Sequence, residues 1–162
     1  MKSLIPKKYI PVSLSNKNSQ TLKKEILKSQ KLYKKGKYHI RKTVKSTHHE
    51  SKHVKNAKKI YNVKSIKINK ELVRKTGCSM KTLKKIMKKG QGAYFTGSRP
   101  NQTPHSWGIA RLASAITGGK SASVDYNELS KGCKKNSKAL KLAIRSKRKH
   151  GKGTRKVPKR KI

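Results

Sequence analysis

Asn69-Lys70-Glu71-Leu72-Val73-Arg74-Lys75-Thr76-Gly77-Cys78-Ser79-Met80-Lys81-Thr82-Leu83-Lys84-Lys85-Ile86-Met87-Lys88-Lys89 reads as two helices joined by a glycine turn. Asn69 is placed to cap Lys70–Thr76, Gly77 to end it, and Ser79 to open a second helix that runs to Lys89 and stops at Gly90. Leu72, Cys78, Leu83 and Ile86 then fall inside. Lys81, Lys84, Lys85, Lys88 and Lys89 fall outside. The outline is that of a helix-turn-helix, whose second helix can lie along phosphates in a major groove. Two positions depart from the pattern: Val73 stands where a small residue is expected, and Thr76 where an apolar one is. A structural αα-hairpin has the same outline, and a face made only of lysine argues against the reading of bases.

Helical signals continue on both sides. Ser19 is read as the start of a helix with Leu22, Ile26 and Tyr33 on one face, ending near Gly36. Thr47 with Glu50 matches a capping box ahead of the apolar stripe Val54, Ala57, Ile60 and Tyr61. Between them, Tyr38, Ile40 and Val44 alternate as a short strand would. Thr103-Pro104 is a cap followed by a first-turn proline, and Trp107–Thr117 places Ile109, Leu112, Ala113 and Ile116 at core spacing before Gly118. Asp125 with Glu128 predicts a short helix before Gly132. Ser137 opens a last one carrying Leu140, Ala143 and Ile144, before Gly151 and a basic tail. The expected fold is mainly α: a small helical domain with long basic N- and C-terminal arms. Its boundaries are an arm with one or two helices over 1–68, a compact helical core over 69–133, and a basic helix and tail over 134–162.

Charge sets the class of partner. The chain has 46 Lys and Arg against 5 Asp and Glu, a net charge of +41 over 162 residues. Such self-repulsion opposes compaction unless counter-charge is supplied. The basic residues are 38 Lys and only 8 Arg, which favours contact with many phosphates or carboxylates over planar, bidentate recognition; codon drift in an A/T-rich genome would give the same bias. The charge is uneven: residues 90–130 carry only Arg99, Arg111 and Lys120 against Asp125 and Glu128. That near-neutral segment also holds the only Trp, the only Phe and six of the eleven glycines, so a packed core is expected there. The flanks carry the charge.

Signals for chemistry are weak. Gly119-Lys120-Ser121 resembles the end of a phosphate loop, but Ser114 replaces the first glycine and a helix, not a strand, precedes it. Gly90-Gln91-Gly92 has Phe95 where a third glycine is needed. His49 and His53 are four apart, yet a third metal ligand is lacking. His105, Ser106 and Asp125 have no oxyanion motif beside them. Cys78 and Cys133 are too few and too far apart for a zinc site or a disulfide framework, and are expected to be reduced and packed. No apolar run of about 18 residues suggests a membrane span. The expectation is therefore a soluble protein that is not an enzyme and needs no metal or cofactor. The polyanion-binding candidates are Lys81, Lys84, Lys85, Lys88 and Lys89, with Arg145, Lys147, Arg148, Lys149, Arg155, Lys156, Lys159, Arg160 and Lys161 in the acid-free run near the C-terminus. No aromatic residue interrupts that run, so stacking on bases is not its mode.

Four blocks in the neutral segment carry a family likeness. They are Lys88-Lys89-Gly90-Gln91-Gly92-Ala93-Tyr94, Gly97-Ser98-Arg99-Pro100-Asn101-Gln102-Thr103, Trp107-Gly108-Ile109-Ala110-Arg111-Leu112, and Thr117-Gly118-Gly119-Lys120 followed by Asp125. In order and spacing, from about Lys75 to Cys133, they resemble a domain of unknown function of nucleocytoplasmic large DNA viruses, with looser relatives in bacteriophages. Tyr33-Lys34-Lys35-Gly36-Lys37 is similar to an extension of the viral members. The resemblance implies a virion protein made in the host cytoplasm and located in the capsid shell or just beneath it. It supplies no catalytic residue. Tyr94, Arg99, Pro100, Trp107, Arg111 and Asp125 are core or interface candidates. Trp107 is expected to pack against Tyr94 or Phe95, and Arg99 and Arg111 either order the loop, through backbone carbonyls or Asp125, or present an anion site. The leading expectation is a minor capsid or cementing component whose arms grip acidic capsid or internal proteins. The alternative is a DNA-binding or genome-condensing protein without sequence preference; a ribosomal-type RNA binder also suits the composition but not the resemblance. Peripheral contact with an acidic membrane is compatible with the charge.

Overall fold

The computed structural model describes residues 2–47, 50–151 and 157–162. A strand β1 (Leu4–Pro6) and a 3-10 turn (Lys7–Tyr9) lead into α1 (Asn16–Lys34), α2 (Lys52–Tyr61), α3 (Lys70–Thr76) and α4 (Met80–Tyr94). Then come α5 (Pro104–Ile116), α6 (Lys120–Val124), α7 (Tyr126–Gly132), α8 (Lys138–His150) and a strand β2 (Lys159–Lys161). The chain is mainly helical.

Short polar side chains start most of these helices. Ser15, Asn69, Ser79, Thr103 and Ser137 each accept a backbone N–H from the residue three further on, at 2.9–3.2 Å. Each such cap contributes about 1 kcal/mol. Gly77 (φ 75°) and Gly118 (φ 74°) are left-handed where the chain leaves α3 and α5, as their places in the sequence suggest.

The chain divides into two compact units, each assembled from separated stretches. The first comprises Met1–His49, Gln91–Trp107 and Lys156–Ile162; the second comprises Glu50–Gly90 and Gly108–Arg155. In the first, β1 and β2 pair antiparallel with Leu4 opposite Lys161, and Ile5, Tyr9, Ile10, Leu22 and Ile26 form a small core, with Val44, Trp107 and Ile162 packed against it. The second holds the larger core, with Leu72, Leu83, Ile86, Leu112, Ile116, Leu129 and Ala143 all buried. Tyr61 closes it by donating its hydroxyl to the Ile116 carbonyl at 2.5 Å, and burial pushes its phenol pKa well up. Residues read as an N-terminal arm thus supply β1, α1 and α2, and the last three residues of the basic run before Ile162 form β2.

Several local expectations are corrected. Helix α1 is capped by Ser15, four residues before Ser19, and starts at Asn16. Thr47 and Glu50 do not box α2; its N-cap is Ser51 and Glu50 pairs with Lys58 Nζ at 2.7 Å. Tyr38–Val44 is not a strand. The Val44 backbone is paired instead by one side chain: Asn101 Oδ1 accepts its N–H at 2.8 Å and Asn101 Nδ2 donates to its carbonyl at 2.6 Å. Helix α4 does not stop at Gly90, which is buried within it with ordinary helical backbone. It runs on to Tyr94, and a Cβ on Gly92 would lie 3.3 Å from the Tyr33 hydroxyl, so a small residue is wanted there. Helix α6 was not visible in the sequence pattern.

The cysteines are corrected too. Cys78 and Cys133 are both buried and joined in a disulfide. Their backbones form an antiparallel bridge, with Ser79 N–H donating to Gly132 O at 2.8 Å and Lys134 N–H to Gly77 O at 2.9 Å. The turn between α3 and α4 is therefore tied to the junction of α7 and α8.

Candidate polyanion-binding surface

Helix α3, the turn Gly77–Ser79 and α4 as far as Gly90 form the helix-turn-helix outline inside the second unit. Leu72, Cys78, Leu83 and Ile86 are buried and Lys81, Lys84, Lys85, Lys88 and Lys89 exposed. The turn is crowded: a Cβ on Gly77 would stand 2.6 Å from Ser137 Cβ, and Gly77 is left-handed as well. Only glycine suits that position.

The lysine face is not uniform. Lys85 Nζ lies 3.0 Å from Glu128 Oε2, and Lys89 Nζ lies 3.3 Å from Glu128 Oε1 and 3.7 Å from Asp125 Oδ1. The hydrogen bond from Lys85, helped by Lys89, holds the Glu128 carboxyl below the usual glutamate range against a smaller opposing effect of burial. Two lysines are therefore neutralised by α7 and its N-cap. Lys81, Lys84 and Lys88 have no carboxylate partner. At 1.5 Å of rise per residue they span about 10 Å along one helix stripe, a pitch suited to successive phosphates.

The remaining carboxylates are also engaged within the protein. Glu25 meets His39, Glu50 meets Lys58 and Glu71 meets Lys75 at 3.3 Å. Asp125, 1 % exposed, takes Arg111 in a two-pronged pair at 2.9 and 2.8 Å. All five acids are thus committed to internal cations, and the bulk of the 46 basic side chains has no acid to meet.

The other candidates are dispersed. Arg145, Lys147, Arg148 and Lys149 are exposed on α8, with Lys147 Nζ 4.1 Å from the centre of the Tyr126 ring. Lys159 and Lys161 are exposed on β2, and Arg160 donates to the Ile10 carbonyl at 3.4 Å. Arg155 and Lys156 lie outside the described residues, as does His49 of the pair His49 and His53. Among the described residues, no three His, Cys, Asp or Glu side chains gather as a metal site. No helix among them is long and apolar enough to cross a membrane.

Of the core and interface candidates, Arg111 and Asp125 meet each other in the second unit. Tyr94, Arg99, Pro100 and Trp107 belong to the first. Trp107 is only half-buried and its ring packs edge-on against Tyr9 at 5.9 Å, not against Tyr94 or Phe95. Arg99 is exposed, and among the described residues its side chain makes no hydrogen bond or ion pair; Pro100 is half-buried. The arginine that organises this region is Arg41. Its guanidinium is buried, donates to the Tyr94 carbonyl at 2.6 Å, Ser98 Oγ at 2.5 Å and Ser29 Oγ at 3.2 Å, and stacks 3.9 Å above the Tyr94 ring. Burial lowers its pKa, and the neighbouring Tyr94, Tyr9 and Glu25 oppose the shift. Nothing in the sequence separates Arg41 from the other cations around it.

Set against known protein families, the chain matches a family model over residues 6–152, and that family is described as one of unknown function. No curated protein and no solved structure matches it.

Proposed function

The chain belongs to the family DUF5824, and from that premise we propose that it is a nucleic-acid-binding protein that grips the phosphate backbone without reading sequence. The observation that supports this is the Lys81, Lys84 and Lys88 stripe on the second helix of the helix-turn-helix, exposed and without a carboxylate. Binding of this kind is driven by counterion release. It needs no catalytic group, and the reading is of a binding protein rather than an enzyme.

The test is fluorescence anisotropy with two duplexes of unrelated sequence across a salt series. Equal affinity for both, falling steeply with salt, is the expected result. Replacing Lys81, Lys84 and Lys88 together with alanine removes about 3 from the slope of log K against log salt. Absence of binding at low salt, or affinity indifferent to salt, would refute it.

A second reading rests on the four motif blocks between Lys75 and Cys133 that resemble the large-DNA-virus domain. On it, the protein is a virion structural component, a minor capsid or cementing protein in the shell or just beneath it, and its cations bind acidic capsid or internal proteins. Quantitative mass spectrometry of disrupted virions separates the two. Stoichiometric copies on genome-free shells support the capsid role, and release with the nucleic acid supports the first reading.

A further inference from the structure

Away from the lysine stripe lies a second feature, wholly within the first unit. The chain has eight aromatic side chains in 162 residues, and four of them stack in one place. Tyr94 and Phe95 are buried and meet edge-on at 5.2 Å. Tyr33 stacks on Phe95 at 5.6 Å with 21° between the rings. Tyr38 leans against Phe95 at 5.0 Å with 54° between the rings, and against Tyr33 at 6.1 Å with 50°, yet remains 72 % exposed. Tyr38 is thus both exposed and backed by two other rings.

The backbone explains how Tyr38 comes to lie there. Helix α1 ends with Tyr33 and Lys34, and Gly36 (φ 70°) turns the chain back. Lys35 and Lys37 N–H both donate to the Leu32 carbonyl at 2.9 Å, fixing the reversal. Four lysines surround the ring in sequence, Lys31, Lys34, Lys35 and Lys37, all exposed. Glu25, which meets the adjacent His39, is occupied by that ring and by the Lys42 N–H. An exposed aromatic ring in a lysine-rich turn suits an anion that itself carries a flat π-face.

We infer that Tyr38, backed by Tyr33 and Phe95, is a stacking platform for an unpaired nucleobase of single-stranded nucleic acid, with Lys34, Lys35 and Lys37 holding the flanking phosphates. Bases inside a duplex are already stacked and cannot reach such a ring, whereas single strands use this combination of aromatic faces and cationic tracks. The inference rests on the nucleic-acid reading above and assigns it a second mode of contact, distinct from the helix stripe.

The experiment compares the full chain with Tyr38→Ala and Tyr38→Phe on three labelled ligands: a single strand of thymidines, the same strand with abasic positions, and a duplex of equal length. Tyr38→Ala is expected to weaken single-strand binding by about 5- to 150-fold. Duplex affinity should change less than about twofold, and Tyr38→Phe should bind as the parent does. The parent should lose a similar factor on the abasic strand, which keeps every phosphate. Equal loss on duplex and single strand, or no loss on either, overturns the platform while leaving phosphate binding intact. Failure of the parent to bind any of the three overturns both readings.

Discussion

Reduction of the Cys78–Cys133 disulfide should cost the protein much of its stability while leaving its native shape in place. The bond closes a loop of 55 residues. Constraining a chain over that separation removes about 14 cal/mol/K from the unfolded ensemble, or about 4 kcal/mol at 25 °C. The folded side of the balance changes little, because Ser79 N–H to Gly132 O and Lys134 N–H to Gly77 O hold the two backbones together without the sulfurs. With a urea dependence of about 2 kcal/mol per molar, the midpoint falls by about 2 M. The measurement is urea unfolding before and after treatment with a phosphine reductant, with alkylation and mass spectrometry to count free thiols. The far-ultraviolet circular dichroism in buffer should stay the same. Doubly substituted Cys78→Ala/Cys133→Ala protein should resemble the reduced one. Two results would refute the reasoning: free thiols in the untreated protein, or a midpoint shift below about 0.3 M once both thiols are shown to be free.

Two further expectations concern the first unit. Arg41→Met leaves the Tyr94 carbonyl and the Ser29 and Ser98 hydroxyls without their buried donor, and should destabilise the protein by about 2–4 kcal/mol in chemical denaturation; a change under about 0.5 kcal/mol would contradict that role. Arg41→Lys should recover only part of the loss, since an ammonium cannot span the acceptors that the planar fork reaches. Glu25 gives a pH dependence. Burial by itself raises its pKa, but the Lys42 N–H, His39 and Lys28 together outweigh that and hold the carboxyl below the usual glutamate value. A depressed folded pKa means that the stabilisation is present above the ordinary glutamate pKa and is lost as pH falls through the lowered one. Urea midpoints measured from about pH 6 down to about pH 3 should fall more steeply for the parent than for Glu25→Gln; parallel profiles would count against it.

Local chemistry was legible where one residue decides the outcome. Asn69, Thr103 and Ser137 announced helix starts, and Gly77 and Gly118 announced the positions that need a left-handed backbone. The inner and outer faces of α3 and α4 followed from spacing alone, since 3.6-residue periodicity states which side is buried. Partners distant in sequence were not legible. Nothing local says that Asn101 supplies the hydrogen bonds Val44 lacks, or that Cys78 and Cys133 meet across 55 residues. Nor could spacing show that Glu128 reaches back to Lys85 and Lys89, which narrows the free part of the lysine face to Lys81, Lys84 and Lys88. Tyr38 was misread for a related reason. Alternation with Ile40 and Val44 suggested a strand, while its true setting depends on Phe95, far along the chain.

The pairing of β1 with β2 bears on how the protein is made. Leu4–Pro6 leaves the ribosome about 150 residues ahead of its partner Lys159–Lys161. At 5–20 residues per second the wait is about 10–30 s. Through that interval Ile5, Tyr9 and Ile10 lack part of the cover they have in the finished unit, where Ile162 packs against them. The residues of the second unit have all been made by Arg155, before β2. Lys2, Lys7 and Lys8 flank the uncovered residues, and like charges beside an apolar run discourage nascent chains from sticking to one another. Before any partner is present, the like charge of these lysines would keep nascent chains apart.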